Sequence, residues 1–453
     1  MPKKLSSVIG VDIGSHQIKV AEVKMQGREP VVTALAAGPT PRDAVDHSGV
    51  YDVNGVAAAI KGLIQQSGAS ASHAIVSIAG QASVLVRTVE VPRMTAAELK
   101  EHMQWEISRN IPFAESTVVS DFRAIEPVDP HATNMDVVMA ISPQTAIDTI
   151  IDVVKKSGKQ PAAIDVEPLA IGRTLACAPG QVQRGETVCV VEIGHKTTSI
   201  NMYRDGYLLM PRQLPIGGEM FTKALMDNLG MSAEAAEESK VARLQIPESA
   251  GVAGAAGTFG GATQAFASYN PFADDASLIP TSVQAGDAPP PVTNAPAYNP
   301  FAEPEPDEPP AQGAAEAGPP SPWAAPAGPE AGGEAAEEAG ANLPAPAPQD
   351  GESVRLYNGI AMVLDEFLSE VRRSVDYFRS KGGDVDRILL AGGGSHMKGL
   401  DAFLGKTLAL PVGKLDPVRG LQLAMKRSEP GIVDRRREEF AIAIGNALHI
   451  CFD

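Results

Sequence analysis

Two short segments carry residue types that together suit phosphate chemistry. The first is Asp12-Ile13-Gly14-Ser15-His16-Gln17-Ile18-Lys19, and the second is Glu192-Ile193-Gly194-His195-Lys196-Thr197-Thr198. Each ends an apolar run in a carboxylate, followed by a Gly-containing turn whose backbone N–H groups could line an anion. Gly14, Ser15, His16 and Lys19 are the ligand-facing candidates of the first turn; Gly194, His195 and Thr197 are those of the second. Asp12 and Glu192 would suit a Mg²⁺ held mostly through water. Other pieces point the same way. Gly217 and Gly218 follow Leu214-Pro215-Ile216 and open a helix at Glu219, while Glu237 and Lys240, three apart, share a helix face. Gly392-Gly393-Gly394-Ser395 end an apolar run at an expected helix entry, where amides and the helix dipole would admit an anion or a nucleotide.

The elements that must position these residues alternate along the chain. Residues 8–13 and 18–23 read as a hairpin rather than the strand–helix order of a dinucleotide fold. Further strands are expected at 74–78, 84–91, 136–141, 187–193, 199–203 and 387–390. Residues 94–110 read as a helix, with Thr95 and Glu98 as a capping box, Leu99, Met103 and Ile107 on one face, and Pro112 as the stop. The class is α/β in two similar halves, each opening strand–acid–x–Gly–turn–strand.

Composition sets the remaining bounds. The 453 residues carry a net charge of −17, which excludes a sequence-independent nucleic-acid binder. The charge is concentrated: residues 246–350 hold 14 Asp/Glu, no Lys or Arg, and 20 of the 37 prolines. Such a segment cannot bury enough apolar surface to order itself and reads as a disordered insertion between helical segments. It contains a near repeat, Tyr269-Asn270-Pro271-Phe272-Ala273 and Tyr298-Asn299-Pro300-Phe301-Ala302, readable as spacer or as a pair of docking motifs. Cys177, Cys189 and Cys451 have no paired spacing and read as reduced thiols. Asp12 interrupts any signal-peptide core, and no apolar run reaches the ~20 residues of a membrane span. Work at a membrane would require a partner to hold the chain there.

In this order, the pieces resemble the nucleotide cleft of the actin, Hsp70 and sugar-kinase superfamily. Asp165-Val166-Glu167-Pro168-Leu169-Ala170 resembles its connecting segment, which places a polar residue, here Glu167, near a γ-phosphate. Within that superfamily the chain resembles the PilM family of type IV pilus assembly. The residues responsible are Val11 to Ser15, Thr88 to Met94, Glu98-Leu99 through Trp105-Glu106, Asn110-Ile111-Pro112-Phe113, Leu214 to Gly218, Ala236 to Lys240, and Gly399-Leu400.

The resemblance implies an actin-like ATPase fold, with two α/β lobes around a cleft for ATP and Mg²⁺. Residues 1–81 and 161–190 would form subdomain IA, 82–160 a small IC-like subdomain, and 191–218 with 386–435 subdomain IIA. Residues 219–245 and 351–385 would form subdomain IIB around the insertion, and 436–453 a C-terminal helix packing on IA. Asp12, Glu167 and Glu192 would support slow hydrolysis at most, with Asp12 and Glu192 reaching the metal through water. The implied partner is the cytoplasmic N-terminal tail of PilN, in a groove between IA and 82–160. Other inner-membrane pilus or motor proteins, and a homo-oligomer or ring, are also implied. This would place the protein in the cytoplasm, on the inner face of the bacterial inner membrane.

Two features depart from the family pattern: Glu192 stands where Asp is usual, and His16 and His195 stand where small residues are common. Trp105 and Phe113 read as packing residues. An FtsA-like filament former is the alternative, although such chains usually end in an amphipathic tail helix, which is not apparent after 436–453. A sugar kinase would need an Asp base and a sugar loop, for which the sequence offers no convincing candidate.

Overall fold

The computed structural model describes residues 5–46, 48–78, 80, 82–113, 117–125, 131–248 and 351–452. The two Tyr-Asn-Pro-Phe-Ala repeats, and all but the first three residues of the expected insertion, lie outside the described residues.

Two six-stranded sheets are built on the same plan. In the first, the central strand Ser7–Ile13 pairs antiparallel with Gln17–Gln26 and parallel with His73–Ile78. In the second, Thr187–Ile193 pairs antiparallel with Thr198–Arg204 and parallel with Arg387–Ala391. The first sheet is extended by Gln160–Val166 on one side and by Glu29–Pro39, then Gln422–Leu423, on the other. Tyr207–Met210, Gln213–Leu214 and Val412–Lys414 complete the second. The Glu29–Pro39 strand has no counterpart in the sequence reading.

Alternation explains how each central strand serves two cores. Ile9, Val11 and Ile13 face the helix Val53–Ser67, packing with Val56, Ile60 and Ile64. Val8 belongs to the opposite face, where Ala443, Ile444 and Ala447 of the helix Ala441–Ala447 pack. Gly10 also lies beneath that helix: a Cβ there would run into the Ala443 carbonyl oxygen, so the close approach requires glycine. Phe221 and Phe367 meet edge to face at 6.2 Å in the core of the second lobe.

A separate three-stranded sheet runs Leu85–Pro92, Asn134–Pro143, Val118–Ile125 in spatial order. Leu99, Met103 and Ile107 of the helix Ala96–Arg109 cover one face. The Thr95/Glu98 capping box that starts this helix is formed in full. Val138 and Ile125 turn toward a core shared with Ile171 and Tyr203. The helices Ala233–Ala242 and Gly351–Ser380, which flank the insertion, are tied by Arg243 to Glu352 at 2.8 Å.

Two expectations change. The Gly triplet does not open an α-helix: it forms one 3-10 turn, Gly393–His396, and the α-helix begins only at Leu400. Gly is a poor helix former, and Gly399 at φ +83° breaks the path between the two. Trp105 is not a packing residue. It is 56% exposed, with the Arg109 guanidinium 4.5 Å from its ring centroid, whereas Phe113 does pack on the small core. The three cysteines are reduced thiols, and Cys177 and Cys451 come together in space despite their separation in sequence.

Candidate functional site

The two hairpin turns are built alike. Ile13 pairs with Ile18, and Gly14 N–H donates to Gln17 O at 3.1 Å; Ile193 pairs with Thr198, and Gly194 N–H donates to Thr197 O at 2.9 Å. Both glycine amides are therefore used in closing their turns. The amides between them, of Ser15 and His16 and of His195 and Lys196, stand outside those closing bonds. The first turn is braced by Thr40, whose hydroxyl donates to Gly14 O at 2.6 Å and whose N–H donates to His16 O at 3.0 Å. The second turn is backed by the helix Gly218–Leu229, whose Gly218 and Glu219 amides donate to Gly194 O at 2.9 Å and His195 O at 2.8 Å.

The turns face each other. His16 and His195 stack with ring centroids 4.9 Å apart and planes 20° from parallel, and Ser15 Oγ lies 3.4 Å from His195 Nδ1. Burial, reinforced by His16 and Lys240 against Glu219, lowers the His195 pKa. A neutral imidazole is the form that such a stack favours.

Behind the turns lies a group of acids around one lysine. Lys19 Nζ sits 3.0 Å from Asp12 Oδ2, directly across the hairpin. Burial opposes the lysine charge, but Asp12, Glu192 and Glu439 together hold its pKa above the ordinary value. Burial raises the Glu192 carboxyl to about 7, with Lys19 opposing and Asp12 adding to the rise. Burial, then Glu192 and Asp12, also push Glu167 well above the usual carboxylate range. Among the described residues no three acidic, His or Cys side chains converge as a direct metal cage. The donor set of carboxylates around an open cleft fits a hydrated divalent cation completed by phosphate oxygens.

These groups line one cavity of about 760 Å³, a size that admits a nucleotide. Asp12, Gly14, Ser15, His16, Lys19, Glu167, Glu192, Gly194, His195, Thr197, Gly218, Glu237, Lys240, Gly393 and Gly394 reach its wall. Three expected residues do not. Gly217 is packed so closely behind the second turn that a Cβ would strike the His195 carbonyl. Gly392, at φ +77°, lies against Glu192 and Ile193. Ser395 is buried, and its hydroxyl donates to Gly392 O at 2.7 Å. These three shape the wall rather than form it. Lys240 is also largely occupied: its ammonium meets Glu237 at 2.7 Å, Thr222 at 2.8 Å and Gly218 O at 3.0 Å. It ties the helix Ala233–Ala242 to the start of Gly218–Leu229, and its bond to Glu237 uses only Oε2.

The cavity also has residues that sequence reasoning passed over: Asp46, Tyr51 and Thr149 on one side, and His396, Arg436 and Glu439 on the other. The charged run around 435–439 gave no periodic or motif signal, and only the return of the C-terminal segment brings it to the cleft.

Two lobes of matched topology around this cleft define an actin-like ATPase fold. The sequence profile of the type IV pilus assembly protein PilM family matches residues 10–251 and 360–451, and the chain belongs to that family. A solved structure described as the PilM-PilN type IV pilus biogenesis complex is similar at a TM-score of 0.67 and 22% identity, covering 99% of each chain. Cell division protein FtsA of Neisseria meningitidis is 23% identical over 51% of this chain and 60% of its own length. FtsA of Bacillus subtilis is 22% identical over 51% of this chain and 57% of its own length. The chain thus spans about three-fifths of these curated relatives. No helix among the described residues is long and apolar enough to cross a membrane.

Proposed function

We propose that this PilM-family protein is an ATP-binding scaffold of the pilus inner-membrane assembly complex, with slow hydrolysis at most. The observation that carries the reading is the matched pair of turns, 180 residues apart, facing each other across one cavity. Ser15, His16, His195, Lys196 and Thr197 would hold the phosphates. Glu237, Gly393 and Gly394 would receive the nucleoside, with Lys240 fixing Glu237. Asp12 and Glu192 would hold Mg²⁺ through water. When bound, the cation would neutralise phosphate charge. Asp12, Glu167 and Glu192 would orient water, but among the described residues no side chain is placed as a dedicated strong base. The reach of Glu192, one methylene longer than Asp, displaces its carboxylate on the ångström scale to which catalysis is sensitive. The subdomain division given above rests on this same reading.

Membrane attachment would come from a partner. The PilN-type cytoplasmic tail is assigned to the surface of the three-stranded sheet and its helix Ala96–Arg109, where edge strands supply backbone groups and Trp105 an apolar anchor. The test is capture of a peptide of that tail by the purified full chain, with and without Mg·ATP. Absence of binding in both conditions would remove the scaffold assignment; small-molecule phosphorylation at enzyme-like rates would replace it with a kinase.

A further inference from the structure

The segment 432–440 packs on the first-lobe core through Ile432 and Phe440 and passes along the cleft, where Arg435, Arg436 and Glu439 reach the wall. The Arg436 guanidinium forks onto Glu439, Nε to Oε1 at 3.0 Å and Nη2 to Oε2 at 2.7 Å. The same Nη2 also donates to Gln17 Oε1, on the residue that closes the first turn. From the other side, His396 Nε2 lies 3.4 Å from Glu439 Oε1 and 3.9 Å from Glu438 Oε2. Gly392 N–H donates to Glu438 O at 3.0 Å, so the backbone of the segment also holds the Gly-triplet loop. Arg436, Glu438 and Glu439 thus touch the first turn in one lobe and the Gly392–His396 loop of the other.

We propose that Arg436 and Glu439 are positioning residues of the cleft. They act as a clasp that fixes the Gln17 turn and the Gly392–His396 loop at one separation, so that a ligand meets both already placed. The inference rests on reading the cleft as an ATP site. The pair suits this task. A bidentate guanidinium–carboxylate fork fixes direction as well as distance. Glu439 is nine-tenths buried, Arg436 about three-quarters, so solvent competes little for the contact. Against the cost of burial, His396 and Arg436 hold the Glu439 carboxyl down to about 2, which keeps the fork charged at any ordinary pH. Preorganisation of this kind raises affinity by removing an ordering cost from the binding step.

The test uses the full chain, with Mg·ATP affinity by titration calorimetry and amide hydrogen exchange of the nucleotide-free protein. Arg436→Ala is expected to weaken ATP about fivefold or more and to speed exchange in both 14–17 and 392–397. Arg436→Lys, which keeps the charge but cannot span both partners, should move both readouts the same way with an unchanged melting temperature. His396→Ala should also weaken ATP, and the double variant should be no worse than Arg436→Ala alone, because both cut one chain of contacts. Unchanged affinity in Arg436→Lys, multiplying losses in the double variant, or faster exchange in one loop only would overturn the clasp. If the wild type binds no ATP, the site reading fails, and the exchange of the two loops alone decides the clasp.

Discussion

Gly393 offers the sharpest probe of the cleft, because it separates the ligand from the fold. A Cβ built at Gly393 meets nothing within 4 Å, whereas at Gly394 it would collide with Ile193 and at Gly392 with Glu192. Gly393 lines the cavity, so the Cβ of a valine there adds bulk at its wall without striking protein atoms. Displacing a nucleoside by about an ångström forfeits about half of a ~0.15 kcal/mol well at each of roughly twenty contacts. The loss is about 1.5 kcal/mol, or a tenfold weaker dissociation constant. Gly393→Val should thus bind ATP at least tenfold more weakly, by calorimetry, while melting within a degree or two of the wild type. Gly394→Val and Gly392→Val should instead lower the melting temperature, the latter also through strain at φ +77°. Unchanged ATP affinity in a folded Gly393→Val protein would refute the placement of the nucleoside against this loop.

Other expectations follow from the same geometry. Glu192 titrates near 7 in the folded protein against an ordinary 4.5, so the folded state binds more protons between these values. Its contribution makes stability fall as pH rises through that window, and Glu192→Gln should flatten the slope in denaturation series from pH 4 to 8. ATP turnover by the purified chain should stay well below the ~10 s⁻¹ of a typical enzyme and drop further in Asp12→Ala; kinase-like turnover would contradict the scaffold reading. A glutamate at Trp105 should abolish capture of the PilN-type tail while leaving ATP affinity unchanged, whereas tail-induced exchange protection confined to the second lobe would reject that surface. Deleting 249–350 should leave ATP and tail binding intact but weaken recruitment of another pilus-complex protein. Alanines at Tyr269, Phe272, Tyr298 and Phe301 should reproduce that loss if the repeats are docking motifs.

Some of this architecture could be read from the sequence, and the reasons differ by element. The first and second hairpins were legible because an apolar run, an acid and a glycine turn state both the strand and its end. The Ala96–Arg109 helix was legible because its cap and its apolar face agree. Glu29–Pro39 was missed because it is rich in Ala, Gly and Pro and owes its extended form to ten paired residues of its neighbour, a tertiary cause. The glycines were recognised as special, but not for the right reason in every case. Gly217 and Gly392 permit close packing behind the cavity, while Gly393 alone of its triplet opens onto free space. Arg436 and Glu439 carry no motif that marks them in the sequence. Only the docking of Ala441–Ala447 on the first sheet carries them to the cleft.

That docking bears on how the two lobes can communicate. The helix Ala441–Ala447 is locked to the first lobe by contacts that leave no room for a side chain: Gly10 against the Ala443 carbonyl, and Gly445 against the Ala170 carbonyl. Asn446 adds hydrogen bonds to Val11 O at 2.9 Å and to Ser77 at 2.8 Å. The residues just before it hold Gly392 and His396 of the second lobe. Ala441 and Ile442 also pack with Val190, Leu389 and Ala391 of the second sheet, so the start of the helix belongs to a core that both lobes share. Packed carbonyl-to-glycine contacts tolerate almost no displacement, while hydrogen bonds and ion pairs can exchange partners. The polar contacts of Arg436 and Glu439 would therefore set the separation that a ligand bridging the two turns meets. The small sheet packs on a core that includes Ile171 and Tyr203, one residue from each lobe's framework, so a change in lobe angle would reach the proposed tail surface. ATP and the tail would then be coupled, and by linkage each must alter the affinity of the other by the same factor. Titrating the tail peptide into the chain with and without saturating Mg·ATP, and the reverse, measures that factor twice; a factor of one in both would refute the coupling.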